Sequence, residues 1–189
     1  SRFQEVVETA NLALQQLPAK EVMLRARVAA HLAQALWRRG NKVGSLDFFQ
    51  QALVNDPSIF RRLETWLPVN IVSDGSDVAD SIAQVLARSP RFRVDNSGLL
   101  LSLNAASELS ACINDRNSQA IRCYTMPPAE AGSSADTIQQ FNQEFHRHVF
   151  GLGYDISQAQ RSILMGSSVI LSSQNNPGLQ QTRDRIMNR

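Results

Sequence analysis

One stretch of this chain admits few architectures. Between Ala26 and Pro57 it reads ARVAAHLAQALWRRGNKVGSLDFFQQALVNDP. Small and apolar residues recur at Ala29, Leu32, Ala33 and Leu36 and stop at Gly40. A second series runs through Ser45, Phe48, Phe49, Ala52 and Leu53 and stops at Asp56-Pro57. Spacing of three and four places each series on one face of a helix. Glycine takes the backbone twist that ends a helix, and proline cannot continue one. The stretch therefore predicts a helix, a tight turn and a second helix.

The same positions resemble a tetratricopeptide repeat. Ala33, Leu36, Gly40, Ser45, Phe49, Ala52 and Asp56-Pro57 fall at the offsets of that motif. Its usual early Trp is Ala29 here, and its usual second-helix Ala is Ser45. Ala13, Leu14 and Pro18 repeat the mutual offsets of Ala52, Leu53 and Pro57, so residues 1–20 read as the second helix of an earlier repeat. A lone repeat cannot bury both faces, so further repeats upstream and a second domain are both expected as cover. The resemblance implies a groove lined by the first helix, at Arg27, His31, Gln34 and Arg38. Ile59, Phe60, Leu63 and Trp66 predict a short closing helix before Pro68.

Beyond that point the period changes. Val69 and Ile71 belong to a β-type run closed by the turn formers Ser73-Asp74-Gly75-Ser76. Asp77 or Ser76 caps a helix with a stripe of Val78, Ile82, Val85 and Leu86. Short strands are expected at 92–94, 99–103, 109–113 and 120–125, then a helix from Ser134 carrying Ile138, Phe141, Phe145 and Val149. A short helix near 155–164, a strand at 169–171 and a polar end with a terminal helix complete the expectation. The fold class is α+β, with repeat-like helical hairpins at 1–66 and a small α/β domain at 67–189. The pattern over 67–150, best where the helix enters the strand at Arg91, resembles the modules of the TolB amino-terminal domain and of the curli-secretion and lipoprotein-activator families.

The two cysteines, Cys112 and Cys123, both lie in the expected hairpin. With the turn centred between Asn117 and Ser118 they face each other directly, near disulfide range; a slip of two residues sets them diagonal. A closed bond suits an oxidising compartment such as a periplasm, whereas two reduced core cysteines suit the cytosol. They lack the additional ligands of a metal site. His146 and His148 point about 200° apart on a helix, and the bland reading is a solvated face with His148 at its edge. His31 is structural or one groove contact. Arg91 and Arg93 share a strand face that is solvent or a docking surface, and Arg38, Arg39 and Lys42 suit a helix C-terminus.

With 19 basic and 17 acidic residues the net charge is +2, too balanced to argue for nucleic acid or an anionic membrane. An apolar fraction of 43% and a charged fraction of 19% are those of a folded globular chain. No apolar run reaches the roughly 20 residues of a membrane helix. The chain opens Ser-Arg-Phe, as expected of a processed or excised chain, so a missing leader proves nothing. None of the nine glycines falls in a phosphate-binding loop, and no nucleophile elbow occurs. Asp74 and Asp77 are explained by turn and cap chemistry. The expectation is a non-enzymatic interaction or assembly protein of the bacterial envelope, with protein partners, no cofactor, no metal and no catalytic residue. The alternative is a cytosolic ligand-binding or catalytic α/β domain that uses its helices to oligomerise, with a pocket at the carboxyl ends of the strands at 69–71 and 92–94.

Overall fold

Helix α1 (Arg2–Gln16) leads into α2 (Val22–Arg38) and α3 (Lys42–Asn55). Gly40, at φ +84, turns the chain between the last two. Its N–H reaches Trp37 O at 2.9 Å and that of Asn41 reaches Leu36 O at 3.1 Å, satisfying the open carbonyls at the end of α2. Asn41 then caps α3, its side-chain oxygen accepting from Gly44 N at 3.0 Å. Alanines on the inner face of α2 let α3 approach closely, and Leu32, Trp37, Phe49 and Leu53 are buried between them. Helix α1 packs through Val7, Ala10 and Leu14. Arg25 Nη1 fastens its open end, donating at 2.8 Å to both Leu14 O and Leu17 O.

The structure, a computed structural model, describes residues 2–106, 108–126 and 135–151. All of them belong to one compact unit, Ser1–Tyr154. The elements expected at 155–164, at 169–171 and at the terminus lie outside the described residues.

The closing helix expected up to Trp66 is only one turn, α4 (Ile59–Arg62). Glu64 ends it by adopting φ +50, which lets Thr65 N bond Phe60 O at 2.9 Å. The chain then enters β1 (Leu67–Ser73), followed by α5 (Asp77–Ala87) and β2 (Phe92–Val94). Strands β3 (Leu99–Asn104), β4 (Leu109–Asn114) and β5 (Ala120–Met126) form a meander, and α6 (Ala135–Phe150) follows. Ser76 is the cap of α5, its Oγ accepting from Ala79 N at 3.3 Å. In the α5 stripe the buried residues are Ala79, Ile82 and Leu86, with Val78 and Val85 half-buried.

The sheet order is β2-β1-β3-β4-β5, with β1 parallel to both neighbours and the remaining pairs antiparallel. Val69 is level with Val94 on one side and with Leu99 on the other. The chain leaving β2 must therefore cross β1 within Asp95, Asn96, Ser97 and Gly98. It does so against the backbone: a Cβ on Gly98 would stand 2.5 Å from Val69 N and 2.6 Å from the Pro68 carbonyl carbon. Only glycine fits that approach. Pro68 is tolerated within a central strand for a related reason. Leu67 N bonds toward β2, so the nitrogen of Pro68 faces the other way, where β3 has not yet begun.

One sheet face, carrying Leu67, Val69, Leu99, Leu101, Ala111 and Ile113, meets α5 and α6. The same core continues through Phe92, Phe150 and Phe60 into Phe49 of α3, each ring about 6 Å from the next. Lys42 of α3 pairs with Asp95 in the crossing segment at 2.6 Å, and Asp47 with Arg116 in the β4–β5 turn at 3.6 Å. Helix α3 thus lies along one end of the sheet.

Candidate functional site

The groove residues inferred from the repeat resemblance share one side of α2. Arg27, His31 and Arg38 are exposed and Gln34 is half-buried, while Ala29, Leu32 and Leu36 on the opposite side are buried, as are Ala26, Ala30, Ala33 and Trp37 on one flank. Steps of four, three and four keep these side chains in a row about 16 Å long, at 1.5 Å per residue. The helix contains three arginines and no carboxylate. Arg25 is committed to the end of α1, but among the described residues Arg27 and Arg38 enter no ion pair. The row is a cationic, hydrogen-bonding surface on one side of a helix.

Two shallow hollows lie elsewhere. One, of about 330 Å³, runs beside α3 at Asp47, Gln50, Gln51, Val54 and Asn55. The other, of about 360 Å³, is lined by Tyr124, Glu144, Arg147, His148 and Gly151. In the second, Arg147 and Glu144 already neutralise each other at 2.5 Å. Among the described residues no group of His, Cys, Asp and Glu could hold a metal ion, and no helix is long and apolar enough to cross a membrane.

At the carboxyl ends of β1 and β2, where a ligand-binding α/β domain would place its pocket, two carboxylates hold turns. Asp74 accepts from Ala105 N at 2.7 Å and from Ser76 N at 3.0 Å. The Ala105 amide, more than the Ser76 hydroxyl, lowers its carboxyl to about 2. Beyond β2, Asp95 accepts from Lys42 and from Ser97 N at 2.9 Å, the lysine chiefly holding its carboxyl below the ordinary range. Both carboxylates are spent on fastening turns.

Two polar side chains depart from their sequence readings. Arg91 is 2% exposed, not on a solvent or docking face. It lies one residue before β2, and its Nη1 donates to Phe60 O at 2.6 Å and Thr65 O at 2.8 Å, carbonyls at the end of α4. His146 is fully buried rather than solvated, whereas His148 is exposed. Its Nδ1 lies 2.8 Å from Asn142 O, which can only accept, so Nδ1 carries the proton. Nε2 is then the acceptor for the Ser89 hydroxyl at 2.7 Å. Rings of Phe92, Phe145 and Phe150 surround the imidazole. A serine–histidine contact sealed in this way, with Ser89 only 4% exposed, cannot meet a substrate and is structural. One signal for His146 was present: Phe150 stands four residues beyond it and widens the apolar stripe of α6 to include it.

Cys112 and Cys123 are directly opposed in the β4–β5 ladder and joined, with an S–S distance of 2.05 Å and a Cα separation of 4.1 Å. Compared with known proteins, the chain matches no family model, no characterised protein and no solved structure.

Proposed function

We propose that this chain is a non-enzymatic interaction or assembly module in which the outer row of α2 receives a protein partner. One observation carries the reading: Arg27, His31, Gln34 and Arg38 stand together on the outer side of a helix whose other side is locked in the core. The helix backbone beneath the row is already ordered, so binding has only its side chains to fix. Burial of Ala33, Leu36, Ser45, Phe49 and Ala52 supports the tetratricopeptide likeness, since those are the motif's packing positions. The bonded cysteines support an oxidising compartment, and with the envelope-family resemblance of the α/β part they favour a periplasmic assembly with a second partner on that part.

The test is site-specific photo-cross-linking in the native host. A benzophenone at position 31 should give a discrete protein adduct that a benzophenone at exposed Gln84 on α5 does not. Arg38→Glu with Gln34→Ala should remove at least nine-tenths of that adduct without changing the melting temperature. Equal labelling from both positions, or an adduct indifferent to those substitutions, would refute the surface.

A further inference from the structure

We infer that the Cys112–Cys123 bond is a reversible redox latch on strand β5, closed by oxidation and opened by a dithiol, rather than a staple on which the fold depends. Ser102 and Cys112 are partners in the β3–β4 ladder, and Cys112 and Cys123 in the next. A Cα separation of 4.1 Å is that of a non-hydrogen-bonded antiparallel pair, against about 5.5 Å for a bonded one. The backbone bonds of the hairpin therefore fall on the flanking pairs, Ala111 with Tyr124 and Ile113 with Arg122. Those bonds survive when the sulfurs part, and they keep the two thiols opposed for reclosure. The covalent loop is short, with a sequence separation of 11, so opening it frees little chain.

Access is the second requirement. Ala111 and Ile113 point into the core, so Cys112 between them points to the opposite face, away from α5 and α6. Both cysteines are half-buried there rather than sealed. A thiolate of a dithiol reductant attacks one sulfur and forms a mixed disulfide, expelling the other cysteine as a thiolate. The reductant's second thiol then resolves the mixed disulfide. Two electrons and two protons pass to the protein, leaving two cysteine thiols and an oxidised reductant.

What the latch governs follows from the topology. Among the described residues β5 pairs only with β4 and forms the sheet edge. Beside Cys123, the Tyr124 ring packs 5.3 Å from Phe141 and 5.8 Å from His148, both on α6. Opening the bond loosens the edge strand and, through Tyr124, the side of α6 that faces β5. Helix α2, which does not pack on β5, does not carry that change.

The experiment compares the full chain oxidised and after treatment with dithiothreitol or thioredoxin, without denaturant. Alkylation with mass spectrometry counts thiols, and hydrogen exchange follows each segment. The latch requires two new thiols in folded protein and exchange at least tenfold faster in β5 and the facing turns of α6. It also requires unchanged exchange in α2, and reversal by oxidised glutathione. A bond that yields only after denaturation would overturn it, as would opening that leaves β5 unchanged or melts the whole unit. A Cys112→Ser, Cys123→Ser double variant should reproduce the reduced pattern; if it fails to fold, the bond is a staple after all.

Discussion

Gly98→Ala should be among the most damaging single-methyl additions in the chain, although the backbone at Gly98 is not in the left-handed region. Its Cβ would stand 2.5 Å from Val69 N, 2.6 Å from Val69 Cα and 2.6 Å from the Pro68 carbonyl carbon. Ordinary contact is ~3.5 Å, so about 1 Å must be found between two backbone segments. No flexible side chain can yield. Pro68 is stiff, and Val69 is held between β2 and β3. If the crossing segment lifts instead, Asp95 N leaves Val69 O, now at 2.9 Å, for a separation that is no longer a hydrogen bond. Overpacking of this kind costs ~1–3 kcal/mol, and each lost backbone bond adds about 1 kcal/mol. The total is roughly 2–4 kcal/mol against a typical stability of about 5–15 kcal/mol.

Guanidinium unfolding followed by tryptophan emission measures the loss. Trp37 and Trp66 are the two tryptophans, their rings 5.9 Å apart, and Trp66 immediately precedes β1. With a slope of about 4 kcal/mol per molar, the midpoint should fall by about 0.5–1 M at unchanged slope. Gly44→Ala is the matched control. There the new Cβ meets only the Asn41 side chain, at 2.8 Å, which can rotate away. Losing that cap, worth about 1 kcal/mol, is offset by a similar gain in helix propensity. A Gly98→Ala loss below about 1 kcal/mol, or one no larger than that of Gly44→Ala, would refute the backbone-crossing argument.

Two further outcomes follow from the polar contacts. Ser89→Ala and His146→Phe should each cost about 1–3 kcal/mol, but the double variant should cost at least about 1 kcal/mol less than their sum, because the two side chains satisfy each other; a denaturant double-mutant cycle measures this. Asp74, lowered from 3.8 to about 2, stabilises the fold above about pH 4 and loses that contribution as pH falls through 2; the melting-temperature gap between wild type and Asp74→Asn should stay constant from pH 7 to 5 and narrow from pH 4 to 2.

Periodicity made most of the described architecture legible. Strands β2 to β5 begin where the alternating runs begin, because turn formers bound each run and one face of the sheet is buried. The solvent row of α2 was equally legible, as the complement of its alanine face. Arg91 was not. Alternation places it beside Arg93, but alternation holds only within a strand, and the strand starts at Phe92. One residue earlier the chain is still in the turn from α5, where the guanidinium reaches the open carbonyls of α4. Nothing local to Arg91 announces that α4 ends 26 to 31 residues away in sequence at those acceptors. The crossing at Gly98 was hidden for the same reason: strand order is a long-range property, and a glycine in a polar turn reads as an ordinary turn residue.

These long-range contacts bear on the proposed interaction surface. A buried charge is tolerated only while its acceptors stay in place, so moving α4 away from Arg91 would strand the guanidinium in the core. The Phe49, Phe60, Phe150 and Phe92 rings and the Lys42–Asp95 pair resist the same displacement from other directions. The cation–π contacts of Lys42 on Trp37 at 5.2 Å and of Arg93 on Trp66 at 5.1 Å add small terms of the same sign. Helix α2 is packed against α3 and α4, so its outer row is held at a fixed angle to the sheet. A protein bound on that row and another bound on the sheet would be set in a fixed mutual orientation, as an assembly module requires and a pair of domains on a free linker does not provide.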